Sequence, residues 1–117
     1  MNRYIDAIKK TLAKDGVGEK VVSQLKELRE YFKATLNEPG YVKMIRMAYE
    51  NIEENGDYTF NFLEDGDGKA NLEYFVDLLG EYHNKYNKEE LQEIRNLMEG
   101  IEPEVEEGEE ENTQIEE

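Results

Sequence analysis

From Glu19 to Leu36 the apolar residues Val21, Val22, Leu25, Leu28, Phe32 and Leu36 recur every three or four positions, while Lys26, Glu27, Arg29, Glu30 and Lys33 fill the opposite face. A stripe of that width is stable in water only when another element covers it, so it dictates a packed helical domain and predicts a helix that begins at Glu19. The pattern stops at Asn37-Glu38-Pro39-Gly40, where proline disfavours helical geometry in the residue before it and can open a new helix. Tyr41, Ile45, Ala48 and Ile52, with Val42 and Tyr49, mark that next helix, which Asn55-Gly56 closes. Upstream, Ile5, Ile8 and Leu12 beside Tyr4 predict a shorter helix ended by Asp15-Gly16.

Downstream the period changes. Tyr58-Thr59-Phe60-Asn61-Phe62-Leu63 alternates, with three aromatics on one side, and predicts a β-strand. The turn-rich run Glu64 to Lys69 follows, then Leu72, Phe75, Val76, Leu79 and Tyr82 return to helical spacing with Asn71 as the expected N-cap. A last helix is expected from Lys88 to about Glu99 on Leu91, Ile94, Leu97 and Met98, capped by Asn87 with Glu90 three residues on. The expected fold is therefore mainly α, or α+β if the strand finds a mate across the turn within residues 57–72. About five amphipathic helices would form one compact domain over 1–101. Residues 102–117, rich in Glu and without periodicity, are expected to be a disordered tail. An unpaired strand edge would also offer a route to a strand-paired homodimer; otherwise the chain is expected to be a monomer.

At 117 residues, with 38% hydrophobic and 10% aromatic composition, there is material for one core and not comfortably for two. No cysteine is present, which excludes disulfides, thiolate metal sites and a cysteine nucleophile. No apolar run reaches the ~20 residues of a membrane span, and the first residues lead into an amphipathic stretch instead of a signal-peptide block. A cytoplasmic protein without a membrane partner is the expectation.

Charge is segregated along the chain. Residues 1–50 hold ten Lys/Arg against seven Asp/Glu, whereas residues 51–117 hold four against twenty-two, and nine of those acids are Glu residues between Glu102 and Glu117. A formal net charge of −15 opposes direct binding of nucleic acid by the intact protein, because phosphate repulsion works against counterion release.

Asp65-Gly66-Asp67-Gly68-Lys69-Ala70-Asn71-Leu72-Glu73-Tyr74-Phe75 looks like the calcium loop of an EF-hand. With Gly68 at the turn glycine, Asp65, Asp67 and Asn71 fall on ligand positions of that family, and the resemblance implies a Ca²⁺ site held by these three. The sequence departs from the family at both ends. Leu63 stands where its first aspartate belongs, and Tyr74 where its bidentate glutamate belongs.

Nothing supports catalysis. His83 is the sole histidine and Ser23 the sole serine, with no glycine elbow around the serine. Carboxylate pairs are too many for any one to be singled out, and no phosphate-cradling glycine motif occurs. The expected role is that of a non-enzymatic acidic protein that mimics a polyanion. It would occupy a basic surface of a nucleic-acid-binding protein or nuclease, through Asp57, Glu64, Asp65, Asp67, Glu73, Asp77 and Glu81 with Tyr74 and Tyr82 as anchors. In size and acidity the chain is similar to inhibitors from phage and mobile elements and to nuclease-immunity proteins, a likeness of composition alone. Two alternatives stand beside it. One is the degenerate EF-hand-like Ca²⁺ domain; the other is a polyanion binder using Lys9, Lys10, Lys14, Lys20, Lys26, Arg29 and Lys33, inhibited by its own acidic tail.

Overall fold

In the computed structural model, which describes residues 1–100, the helical stripes pack as five helices: α1 (Asn2–Asp15), α2 (Glu19–Tyr31), α3 (Pro39–Asn55), α4 (Gly68–Gly80) and α5 (Lys85–Glu99). Among the described residues there is no strand. The expected tail, 102–117, lies outside them.

The stripe of α2 is buried along its length, from Val21 through Val22, Leu25 and Leu28 to Phe32. α2 then widens into a five-residue π-helical segment, Phe32–Leu36. The left-handed Asn37 (φ 54°) ends it, and the Phe32 carbonyl accepts from the N–H groups of both Asn37 and Glu38. Pro39 opens α3, and Gly56 (φ 77°) closes it by donating its N–H to the Ile52 carbonyl, a conformation that glycine adopts without a Cβ penalty.

Contacts between elements give the topology. Tyr4 stacks near Tyr31, with ring centroids 5.2 Å apart, and Lys26 pairs with Glu53, so α1, α2 and α3 run alternately up and down. α4 returns against α1, with Ile5 beside Gly80 and Lys9 bonded to Asp77. α5 turns back along α4 and crosses to the first turns of α3, where Arg95 lies beside Gly40 and Lys43 bonds Glu99. Burial of Ile5, Ile8, Leu12, Phe75, Val76 and Leu79 holds α1 to α4, at roughly 1.5–3 kcal/mol for each large side chain, whereas the half-exposed Lys9–Asp77 pair is screened by solvent and adds little.

The expected strand is instead an irregular loop from Asp57 to Asp67. Its alternation is real in burial: Tyr58 is buried, Phe60 and Phe62 are half-buried, and Thr59 and Asn61 are exposed. Its backbone donors, however, go to side chains. Tyr58 N–H donates to Asp57 Oδ1 (2.8 Å), Thr59 N–H to Asn51 Oδ1 (2.8 Å), and the N–H groups of Phe62 and Leu63 to Asn71 Oδ1 (2.8 and 2.7 Å). With these donors engaged the segment forms no strand among the described residues, so the strand edge expected to pair with a second copy is absent there.

Two caps also fall three or four residues earlier than the spacing suggests. Asp67, not Asn71, caps α4 by accepting from Ala70 N–H (2.8 Å). Asn84, not Asn87, caps α5, while the Asn87 amide donates to the carbonyls of Leu78 and Glu81 and so closes the end of α4. Leu97, expected on the apolar face of α5, is exposed.

Replacing Asn71 with Ala strands the part-buried N–H groups of Phe62 and Leu63, and urea unfolding should show a loss of about 1–3 kcal/mol, against less than about 0.5 kcal/mol for Asn61→Ala at the exposed rim. A second expectation concerns Glu99, whose carboxyl is held below the ordinary carboxylate range by hydrogen bonding from Lys43 and then from Arg95. A folded value below the unfolded one stabilises fully above the unfolded pKa and is lost as pH falls through the folded pKa. Thermal midpoints of wild type and Glu99→Gln should therefore differ at neutral pH and converge as the pH falls below the ordinary glutamate range.

Candidate functional site

The end of the molecule where α3 stops and α4 begins gathers the carboxylates. Asn71 builds it. Lying one turn into α4 and only 4% exposed, Asn71 accepts from the loop with Oδ1 and donates with Nδ2 to Asp67 O (2.9 Å), Gly66 O (3.2 Å) and Asn61 Oδ1 (3.1 Å). One amide thus ties both arms of the loop to the helix. Asn51 adds a second tie from α3, its Nδ2 donating to Thr59 Oγ1 at 2.7 Å.

On this frame Asp57, Glu64, Asp65 and Asp67 are exposed and Glu73 is half-exposed. None of the five has an ion-pair partner among the described residues. Asp57 and Asp67 each spend one oxygen on a local backbone N–H and keep the other for solvent. Asp77 differs, because Lys9 Nζ lies 2.8 Å from its Oδ1 and neutralises it. The Glu81 side chain is exposed at the far end of α4, close to the start of α5 and away from the loop.

The two expected anchors part company. Tyr82 is only 5% exposed, packed against Phe32 (5.6 Å between centroids), Tyr41 (5.4 Å) and His83 (4.1 Å), and cannot meet a partner without unpacking the core. Tyr74 is half-buried beside the acidic loop: Phe62 stacks on it at 5.9 Å and 12°, and its hydroxyl donates to Glu90 Oε1 at 2.7 Å. Its phenol is pushed well above the ordinary tyrosine value, first by burial and then by hydrogen bonding with Glu90 and Tyr86, so it stays a neutral donor. Tyr86 was not among the expected anchors. At 60% exposed it presents the most open large apolar surface among the described residues, next to Tyr74 and off the Leu91, Ile94, Met98 face of α5.

The calcium reading loses its third ligand. Both functions of the Asn71 amide are turned inward, and among the described residues no group of three or more His, Cys, Asp or Glu side chains is placed to hold a metal ion. His83 is exposed on the rim of the Tyr82 ring, and Ser23 is exposed on α2; neither lies within the loop and its supports. Among the described residues no helix is long and apolar enough to cross a membrane.

Four of the basic residues of the first half lie in different surroundings. Lys9 and Lys26 are paired with Asp77 and Glu53, Lys26 also lying 5.3 Å from the Tyr49 ring. Arg29 and Lys33 belong instead to a groove they share with Lys43 and Arg46 of α3.

No protein-family model, curated protein or solved structure matches this chain.

Gly68, the first residue of α4, is where the loop and the helix approach most closely. A Cβ there would collide with Asp57 Oδ1 and lie 2.7 Å from the Tyr58 carbonyl oxygen. Gly68→Ala should cost about 1–3 kcal/mol and move the amide resonances of residues 57–67 more than those of α2 or α5.

Proposed function

We propose that this chain is a small, non-enzymatic acidic binding protein whose loop end takes the place of a polyanion on a basic surface of a nucleic-acid-binding protein or nuclease. The observation that carries the reading is the set Asp57, Glu64, Asp65 and Asp67. These are exposed carboxylates without ion-pair partners among the described residues, mounted on a loop whose backbone is fixed by Asn71 and Asn51. Fixed anionic groups lose little conformational entropy when a cationic surface arrives, and their field speeds the encounter before contact.

Charge at a wet rim governs approach more than residence, so an anchor is also required. Tyr86, hydrogen-bonded to the Tyr74 on which Phe62 stacks, supplies an exposed aromatic ring of the kind that carries interface energy, and an arginine or lysine can lie across its face. Asp77 and Tyr82 have no place in this surface. Nucleic acid itself is disfavoured as the ligand by the same charges.

The test immobilises the protein, exposes it to a nuclease-treated lysate of its source cell, and challenges what is retained with duplex DNA. A partner that duplex DNA displaces, and that elutes as salt shortens the ~8 Å Debye length, is the expected result. With that partner purified, Glu64→Gln/Asp65→Asn/Glu73→Gln should slow association about tenfold or more and flatten its salt dependence. Tyr86→Ala should chiefly speed dissociation, by roughly tenfold or more. Retention that DNA does not displace, or binding indifferent to these substitutions, would refute the assignment.

A further inference from the structure

The opposite end of α3 carries the other sign of charge. Arg29 and Lys33 from the end of α2 and the π-helical segment face Lys43 and Arg46 from α3 across an open groove of about 380 Å³, with Pro39 and Val42 as its apolar lining. The widened turn and the left-handed Asn37 set the spacing between the two helices here, so the groove is a product of the irregular backbone at this corner. Glu38 is the one carboxylate in its lining. The cations make peripheral pairs: Arg29 with Glu30 (3.1 Å), Lys43 with Glu99 (3.2 Å) and Arg46 with Glu50 (4.0 Å). Lys33 makes no ion pair among the described residues. Pairs of this kind at the protein surface are weak and screened by salt, so a ligand offering several carboxylates at once can exchange with them.

The chain supplies such a ligand at the lip of the groove. α5 ends at Glu99, held between Lys43 Nζ at 3.2 Å and Arg95 Nε at 3.3 Å, so the polypeptide leaves the described region beside a groove residue. The sequence continues there as Glu102-Pro103-Glu104-Val105-Glu106-Glu107-Gly108-Glu109-Glu110-Glu111, seven acids in ten residues with no lysine or arginine. Packed helices lie ~8–10 Å apart, while a ten-residue length of polypeptide spans about 16–19 Å r.m.s. even as a random coil, so the groove is within range of the segment's first half. Tethering also places the segment at an effective concentration on the order of millimolar.

We propose that the groove formed by Arg29, Lys33, Lys43 and Arg46 is an acidic-peptide site, and that its occupant is the chain's own segment 102–111. The match is of charge and of place: a basic groove at the exit point of an acidic segment. Occupied in cis, it masks the basic end and leaves the loop carboxylates as the exposed charge of the molecule. It does not depend on the proposed partner, and either can fail without the other.

The absence of cysteine makes the test direct, because Gly108→Cys creates a unique site for a nitroxide spin label on the full chain. Paramagnetic broadening of amides at low salt should be strongest at Lys33, Asn37, Gly40, Lys43 and Arg46. It should vanish near 1 M salt, where the Debye length is ~3 Å, and be largely lost in Lys33→Gln/Arg46→Gln, whose exposed side chains are not part of the core. A mixture of spin-labelled protein at natural isotopic abundance with ¹⁵N protein carrying no nitroxide should show none of it. Broadening spread evenly over the surface, centred elsewhere, insensitive to the double substitution, or seen in the mixed sample would overturn the assignment, the last by making a second copy the occupant.

Discussion

The Asn71 carboxamide is the interaction on which the loop end depends. A buried amide without partners costs several kilocalories per mole, whereas one that satisfies the carbonyls and N–H groups of a loop removes that cost and supplies the loop with the backbone partners it lacks. Asn71 does this from a helix whose seat against α1 is set by Ile5, Ile8, Phe75, Val76 and Leu79. The geometry of the acidic surface is therefore inherited from the apolar core through one side chain. Asp57 and Asp67 reinforce it locally, each bonded to a nearby backbone N–H, so the groups that present charge also shape the turn that carries them.

At the other end the same job is done by rings. Phe32 lies buried between Tyr31, Tyr41 and Tyr82, with centroid separations of 5.6–6.4 Å, at the point where α2 becomes π-helical and the chain turns into α3. The tyrosine hydroxyls of Tyr41 and Tyr82 are pushed upward by burial and then by Glu38, so both remain neutral across the physiological range. One corner of the protein is thus fixed by polar bonds to a single amide and the other by aromatic packing. α3, about 25 Å long for its 17 residues, separates them.

The helices were legible because a buried stripe repeats every three or four residues whatever it packs against. Val21 to Phe32 and Ile45 to Ile52 could be read directly. The loop was not, because alternation from Tyr58 to Phe62 reports which residues face inward and says nothing of where the backbone hydrogen bonds go. The bonds from Phe62 and Leu63 end on Asn71, nine and eight residues away, a distance no local period encodes. The same blindness misplaced the caps: Asp67 and Asn71 are equally good capping types, and only the burial of Asn71 separates them. Of the acidic surface, the carboxylates were visible as charge, but their pairing was not. Asp77 and Glu73 share a helix, and it is α1, far away in sequence, that brings Lys9 to one of them. Tyr82 continued the apolar stripe of α4 and was nevertheless expected at a surface, whereas Tyr86, set apart from the stripe of α5, was the ring left in solvent.

Placing unpaired acids at one end of α3 and a basic groove at the other gives the described part of the molecule an electric dipole as well as a net charge. A net charge draws the protein toward a polycation without telling it how to arrive. A dipole adds a torque, which turns the molecule during approach and falls off with distance faster than the attraction does, so alignment is settled in the last Debye length. With the groove open, the acidic loop would lead and the basic corner trail. The Asn71 latch holds the leading group in shape through that turn, which makes a rigid loop worth more to an encounter than the same carboxylates on a mobile one.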